Sequence, residues 1–267
     1  MLVMDDTTLD KPYSEKIELV TYHWSGKHHR VAKGINLITT LWTDGKRLIP
    51  CDFRVYDKPL GENGPFGGKW KNEHFRDMLI EAKERGLKPA YVLFDSWYSG
   101  LDNLKLIRKL GWHWFTRMKG NRLVNPDGKG NVPVSSIDIP AEGRAVHLKG
   151  YGFIRVFRTV SSNEDVEYYA TDDTNMGAGK CEELAGHAWG IEVYHRGIKQ
   201  CCGVERAQVR KAVKQIGHIM LSLRAFLRLE VHRLRTCISW YETKVSLIRG
   251  AIRSYIANPT LSLNTSA

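Results

Sequence analysis

The sequence predicts an α/β fold on three observations: two β-rich stretches joined by an Asp-Gly turn, an apolar run at 90–94 between two helical stretches, and long 3.6-residue periodicity towards the end. With 42% hydrophobic and 10% aromatic residues, the 267-residue chain can bury a sizeable core, and 26% charged residues argue against wholesale disorder. One domain, or one domain with an insertion, is the expected organisation.

Leu2-Val3-Met4 reads as a strand that ends at an acidic turn, Asp5-Asp6-Thr7. Stretches 35–42 and 47–56 flank Thr43-Asp44-Gly45-Lys46, a strong hairpin signal that implies a meander of about three strands. Residues 57–68, rich in Gly and Pro, read as a loop. A helix over 72–85 follows, with Phe75, Met78, Leu79 and Ala82 on one face and Gly86 as its stop. The continuous apolar run 90–94, ending at Asp95, suits a strand buried on both faces, and a helix over 101–110 completes the alternation.

Residues 112–171 break that rhythm. Asn125-Pro-Asp-Gly128, Gly130, Gly143, Gly150 and Gly152 punctuate short alternating runs at 154–160 and 166–170, which implies a β-rich insertion. Beyond Cys181 helices dominate: Ile216, Ile219, Met220, Leu223, Phe226, Leu227, Val231 and Leu234 keep the helical period, and a last helix spans about 240–256 before Pro259.

Forty Lys and Arg against 29 Asp and Glu leave a net charge of +11. Ten of those cations and only three Glu lie within 188–235, which points to an anionic partner, with nucleic acid the expected one. No apolar run approaches the roughly 18 to 20 residues of a membrane span, and no secretory signal core precedes the acidic start, so the expected location is cytoplasmic. Five cysteines without a C-x-x-C pair read as reduced thiols. His23, His28 and His29 lack a matching pair of metal ligands and read as a polar turn or a DNA-facing loop.

Three carboxylates stand at special places: Asp5 and Asp95 at strand ends, and Glu192 in a helix of unusual polarity. Ligands of an open α/β sheet sit at the carboxyl ends of its strands, so Asp5 and Asp95 would converge if their strands were neighbours. At about 100° per residue, Glu192, His195, Arg196 and Lys199 share one arc, and Ile191, Tyr194, Ile198 and Cys201 share another. Gathered carboxylates repel unless a cation neutralises them, and hard oxygen donors select Mg²⁺ or Mn²⁺. Such ions, when paired about 4 Å apart, activate a nucleophile and stabilise the leaving oxygen of a phosphodiester. The plainer alternative makes each Asp a turn or cap residue and the Glu192 helix a solvated face with spaced ion pairs.

Four motifs carry a resemblance: Asp5-Asp-Thr-Thr-Leu-Asp-Lys-Pro12, His23-Trp-Ser-Gly-Lys-His-His29, Asp95-Ser-Trp-Tyr-Ser99, and Trp189-Gly-Ile-Glu-x-x-His-Arg-x-x-Lys-Gln200. The chain resembles the DDE transposases of bacterial insertion sequences, a ribonuclease H-like superfamily, and most closely the insertion sequence 701 type of the insertion sequence 4 superfamily. The resemblance implies a ribonuclease H-like mixed sheet with flanking helices, interrupted by a β-rich insertion before the glutamate helix. It implies a first core part at 1–119, an insertion at 120–172, a helical second part at 173–258 and a disordered tail at 259–267, with the N-terminal DNA-binding domain of relatives missing. Asp5, Asp95 and Glu192 become the catalytic, Mg²⁺-binding triad, Mn²⁺ being able to substitute; Asp6 is the alternative first ligand.

The implied reaction is cleavage and strand transfer of element ends. Its partners would be double-stranded DNA, as terminal inverted repeats and target, and a second copy of the chain in a synaptic homodimer near the nucleoid. His195, Arg196, Lys199, Arg210, Lys211 and Lys214 are the expected DNA contacts, and Tyr151 or Phe153 a candidate base-stacking residue. Trp97 and Tyr98 read as packing residues, and Lys119-Gly-Asn121 as a turn able to meet phosphate. The family pattern Y-x2-R-x3-E-x6-K is kept at Glu192 and Lys199 and broken at Ala185 and Ala188. Two other readings stay open: a ribonuclease H-like nuclease or resolvase, and a truncated transposase that only binds DNA.

Overall fold

The computed structural model describes residues 1–25, 29–57, 68–160 and 165–259; Gly26, Lys27 and His28, most of the 57–68 loop, residues 161–164 and the tail beyond 259 lie outside the described residues. The chain runs β1 (Leu2–Asp10), β2 (Thr21–Ser25), β3 (Arg30–Thr43), β4 (Leu48–Tyr56), α1 (Lys71–Glu84), β5 (Tyr91–Phe94), α2 (Leu101–Lys109) and β6 (His113–Met118). It continues through β7 (Leu123–Val124), β8 (Val132–Pro133), β9 (Arg144–Leu148), β10 (Gly152–Val160), β11 (Val166–Thr171), α3 (Ala178–Ala188), α4 (Gly190–Gln200), α5 (Ala212–Thr236) and α6 (Trp240–Ala257).

Nine strands form one mixed sheet in the order β2-β3-β1-β5-β6-β11-β10-β9, with β4 on β3 as well; β7 and β8 form a ladder of their own. β1 is antiparallel to β3 and parallel to β5, and β5 is parallel to β6. Alternation along β1 sends Leu2 and Met4 into a core with Phe75, Met78, Leu104 and Trp114 beneath α1 and α2. Val3 and Leu9 enter a second core with Leu184, Ile191, Tyr194 and Phe226 beneath α3, α4 and α5. With both faces covered, the fold is α/β with a large mixed sheet and flanking helices.

Three details of the fold go beyond the sequence reading. β1 does not stop at Asp5, because β3 pairs with it all the way from Leu2↔Trp42 to Asp10↔Gly34, and ladder bonds carry the strand through the polar residues. Within the expected β-rich insertion, β11 pairs with β6, and the main sheet continues through β10 and β9. Along α5, Ile219 and Phe226 are buried, whereas Met220, Leu227, Val231 and Leu234 stay exposed, so the apolar stripe is wider than the face that packs.

The β3–β4 turn needs its glycine. Gly45 sits at φ +92°, and a Cβ there would lie 2.2 Å from His187 Nε2 on α3. The same hairpin is anchored to the helices by Glu230 of α5, fully buried, whose carboxylate accepts from Leu48 N (2.8 Å), Arg233 Nε (2.7 Å) and Trp240 Nε1 (2.9 Å). Among the described residues no helix is long and apolar enough to cross a membrane.

Candidate active site

The parallel pairing of β1 with β5 ends at Met4↔Phe94, so Asp5 and Asp95 are the next residues on two adjacent strands. Asp5 shares the side of β1 that carries Val3 and Leu9, the side covered by α4, and Glu192 lies in the first turn of α4. All three carboxylates line one cavity of about 450 Å³, together with Thr116, Arg117, Glu167 and Trp189. Asp95 and Glu192 are exposed, and Asp5 is half-buried.

Helix α4 is tied to the sheet directly behind this cavity. His195 Nε2 lies 2.8 Å from Thr39 Oγ1, and Thr39 is the cross-strand partner of Asp5. One turn further on, Lys199 Nζ donates to the Thr8 carbonyl of β1 (2.7 Å) and lies 3.5 Å from Glu205 Oε1. These ties set the position of Glu192 relative to Asp5.

A family model described as the transposase DDE domain matches residues 65–228, more than half of the chain. The chain belongs to the transposase DDE domain family. The match spans Asp95 and Glu192 and leaves Asp5 outside it. Among solved structures, this DDE domain is similar to piggyBac transposase in a synaptic complex with hairpin DNA, at TM-score 0.54 and 11% identity over 98% of this chain and 55% of that one. It thus spans about half the length of that transposase. The NurA nuclease from Sulfolobus solfataricus is matched at TM-score 0.32 and 10% identity, over 90% of this chain and 85% of that one. No curated protein matches the sequence.

The two acidic residues of β1, Asp5 and Asp6, have opposite electrostatics. Burial, followed by the negative charges of Asp6, Glu192 and Asp95, holds the Asp5 carboxyl well above the usual carboxylate range. Asp6 points to the other side of β1, where it accepts from Asn36 Nδ2 (2.7 Å), Lys71 Nζ (2.8 Å) and Tyr98 OH (2.9 Å). Burial pushes Asp6 up, but the Lys71 ammonium and these hydrogen bonds outweigh it and hold the carboxyl below its ordinary value. Asp6 is therefore a structural tie between β1, β3, α1 and the turn after Asp95, and Asp5 is the residue that opens on the cavity.

A folded-state pKa raised as at Asp5 favours folding below the unfolded value, about pH 4, and that contribution is lost as pH rises through the folded value. The lowered pKa of Asp6 contributes above about pH 4 and is lost as pH falls through the folded value. Near neutral pH and without divalent ions, Asp5→Asn is therefore expected to raise the thermal midpoint, a gain that fades towards pH 4. Asp6→Asn is expected to lower stability by about 1–3 kcal/mol, because charged hydrogen bonds are lost. Calorimetry of the two variants across pH checks both signs; a drop for Asp5→Asn at neutral pH contradicts the carboxylate repulsion.

Among the described residues no three His, Cys, Asp or Glu side chains are drawn together closely enough to hold a metal ion as they stand. The donor chemistry nonetheless fits one. Three oxygen-donor side chains share a cavity, and the repulsion felt by Asp5 is what a divalent cation would offset.

The expected DNA contacts divide. Arg196 is exposed and, with the less exposed Lys199, lines a second depression that borders Glu192. His195 is a correction: only 3% exposed, it is held neutral, its pKa lowered to about 3 chiefly by burial and then by the Lys199 charge. It fastens α4 to β3 and, though it borders the same depression as Arg196, exposes almost none of its side chain there. Arg210, Lys211 and Lys214 are exposed near the start of α5 and line neither depression, and Lys211 pairs with Glu18 at 2.6 Å. Tyr151 is buried, its hydroxyl bonded to Trp114 Nε1 and Asp172, so it is not free to stack on a base.

Two features had no sequence signal. The ion pair of Arg117 with Glu167 on the cavity wall arises only because β6 pairs with β11. Of the two aromatics after Asp95, Tyr98 is buried but Trp97 is 62% exposed, which overturns the packing role expected for Trp97.

Proposed function

We propose that this chain is the catalytic core of a DNA transposase of the insertion sequence 701 type, in the insertion sequence 4 superfamily, that cleaves the ends of its element and joins them to target DNA. The observation that carries this reading is the convergence of Asp5, Asp95 and Glu192, far apart in sequence, on one cavity at the carboxyl edge of β5. These three side chains would hold Mg²⁺, with Mn²⁺ able to substitute. Divalent ions bound there supply Lewis-acid polarisation of the phosphate and a nucleophile at neutral pH.

The remaining steps belong to the chain's own residues. His195 and Lys199 keep α4 against the sheet, so that Glu192 and Asp5 line the one cavity where the scissile phosphate would lie. Arg196, exposed beside Glu192, would contact the backbone of the strand being cut, holding it without taking its proton. Hydrolysis of the phosphodiester frees a 3′-hydroxyl, whose oxygen, losing its proton, then attacks a target phosphodiester and forms the new P–O bond as the bond to the target strand's own 3′-oxygen breaks, that oxygen leaving as a 3′-hydroxyl once it takes up a proton. Residues 1–119 and 173–258 would serve as the two parts of the core, with 120–172 as the insertion.

The similarity to piggyBac transposase, whose structure is a synaptic complex with hairpin DNA, supports DNA as the partner; double-stranded element ends, and a homodimer of this chain to pair them, complete the proposal. The expected place of action is the cytoplasm, at the nucleoid. A plasmid carrying the gene with its flanking DNA tests the reading: the purified chain should cut it at the element ends with Mg²⁺ or Mn²⁺ and not in a chelator. Binding without any cleavage, under either metal, overturns the enzyme assignment.

A further inference from the structure

The cavity that gathers Asp5, Asp95 and Glu192 has a fourth carboxylate, Glu167, and among the described residues a single cation lines it, Arg117. Strand register puts that cation in line with the acids. Met4 pairs with Phe94 and Phe94 with Thr116, so Asp5, Asp95 and Arg117 are the next residues of three parallel strands, β1, β5 and β6. The row continues onto β11, where Tyr169 is the cross-strand partner of Arg117. Two residues earlier on the same three strands, Val3, Leu93 and Phe115 all enter the core beneath α3, α4 and α5. By the period of a strand, the Asp5-Asp95-Arg117 row lies on that same face.

Arg117 is held in place from β11. Glu167 stands two residues before Tyr169 and forms an ion pair with Arg117 through Oε1. The Tyr169 ring stacks on Phe115 at 5.3 Å, and its hydroxyl donates to the other oxygen, Glu167 Oε2, at 2.7 Å. With both oxygens engaged by neighbours, Glu167 is set to hold a guanidinium and differs from the other three acids. A guanidinium carries five N–H groups in a planar fork, and one carboxylate takes at most two of them, so donors remain for a second anion. The Arg117 side chain is 54% exposed, and an ion pair so open contributes little to folding. Opposite it the helix wall is small, because Ala185 and Ala188 of α3 line the same cavity. These are the two positions at which the pattern Y-x2-R-x3-E-x6-K loses its Tyr and Arg; a Tyr and an Arg reach the cavity from the sheet instead.

We infer that Arg117 binds the phosphate in the carboxylate cavity, and that Glu167 and Tyr169 are positioning residues that fix its guanidinium there. This rests on the DNA-transfer reading, which places a phosphodiester in that cavity; its first test needs no cleavage. The parent chain, Arg117→Gln, Glu167→Gln and the double variant are compared for binding to a duplex of the gene's flanking DNA, in a chelator and over a range of salt. Arg117→Gln should weaken binding about tenfold and lower the salt slope by about 0.9, the loss of one charged phosphate contact. The double variant should lose as much, although it removes one charge of each sign and leaves the net charge of the cavity unchanged. Arg117→Lys should restore the slope but only part of the affinity, since an ammonium keeps the charge and not the fork. Glu167→Gln should bind as tightly as the parent yet cleave with kcat about tenfold lower at unchanged KM, because the guanidinium is less well fixed. Thermal midpoints should stay within about 3 °C of the parent, which separates these losses from misfolding. Should Arg117→Gln not fold, the double variant against Glu167→Gln gives the same comparison. Parent-like affinity and slope in the double variant overturn the inference, because Arg117 then only neutralises Glu167. An unchanged slope in Arg117→Gln overturns it as well, and an undiminished kcat in Glu167→Gln removes the positioning role. Those failures with metal-dependent cleavage intact in the parent remove the Arg117 contact alone, whereas a parent that never cleaves but loses affinity and slope in Arg117→Gln removes the transposase reading and keeps the phosphate site.

Discussion

Asp95→Asn is expected to reduce metal-dependent strand cleavage about a thousandfold or more while leaving DNA affinity and thermal stability in place. The asymmetry follows from where the residue sits. Asp95 is exposed, and its side chain makes no capping hydrogen bond to the turn that follows it, so an isosteric amide costs the fold about 0.5 kcal/mol at most. In the active form it would be one of three anionic oxygen donors, and ion-mediated stabilisation of the developing charge is worth several kcal/mol. About 4 kcal/mol is a factor of roughly a thousand in rate. DNA affinity should be unchanged or slightly higher, since a negative charge leaves the binding edge. Cleavage and filter binding on one preparation read both quantities, and more than about a tenth of the activity surviving in Asp95→Asn sinks the triad.

Glu230→Ala should be the most damaging single change to stability, lowering it by about 3–5 kcal/mol, or about 10 °C in thermal midpoint for a chain of this size. The carboxylate is fully buried and binds Leu48 N, two nitrogens of Arg233 and the indole N–H of Trp240. Its removal leaves a partly buried guanidinium without its counter-charge and two N–H groups without acceptors, and it frees the β3–β4 hairpin and the start of α6 together. Arg233 is tied to the same hairpin through the Lys46 carbonyl at 2.6 Å, so Glu230→Gln, which keeps shape and one acceptor oxygen, should cost clearly less. Chemical denaturation of the three chains checks the order; Glu230→Ala within 1 kcal/mol of the parent contradicts it.

Much of the local structure was legible in the residues. Asp44-Gly45 marked the β3–β4 turn because few other pairs adopt the required backbone, and the structure adds that at φ +92° a larger residue would be strained and would have to displace the His187 ring. The period of Phe75, Met78, Leu79 and Ala82 located α1, and all four are buried. Asp95 stood out as the end of an apolar run, and Glu192 as the acid on a polar helix arc.

The same rules failed where two side chains compete for one direction. His195 lies on the polar arc of α4 yet is buried, because Thr39 of β3 meets it there. Trp97 and Tyr98 are adjacent aromatics with equal claims to the core, and Phe75 with Asp6 settles the choice in favour of Tyr98. The apparent end of β1 at Asp5 was misleading for a related reason: polar residues look like a strand end until a partner strand as long as β3 is found for them.

By itself, the sequence determined the α/β class, the positions of most helices and turns, and which carboxylates are unusual, since each depends on neighbours within a few residues. Only the tertiary structure decided that β1 lies between β3 and β5, that Asp5 shares one cavity with Asp95 and Glu192 while the Asp6 carboxylate is tied to Asn36, Lys71 and Tyr98, and that β9, β10 and β11 continue the main sheet. Those outcomes depend on pairing between strands far apart in the chain, whose register no local pattern encodes, and a shift of one residue along β1 would exchange its two acidic faces.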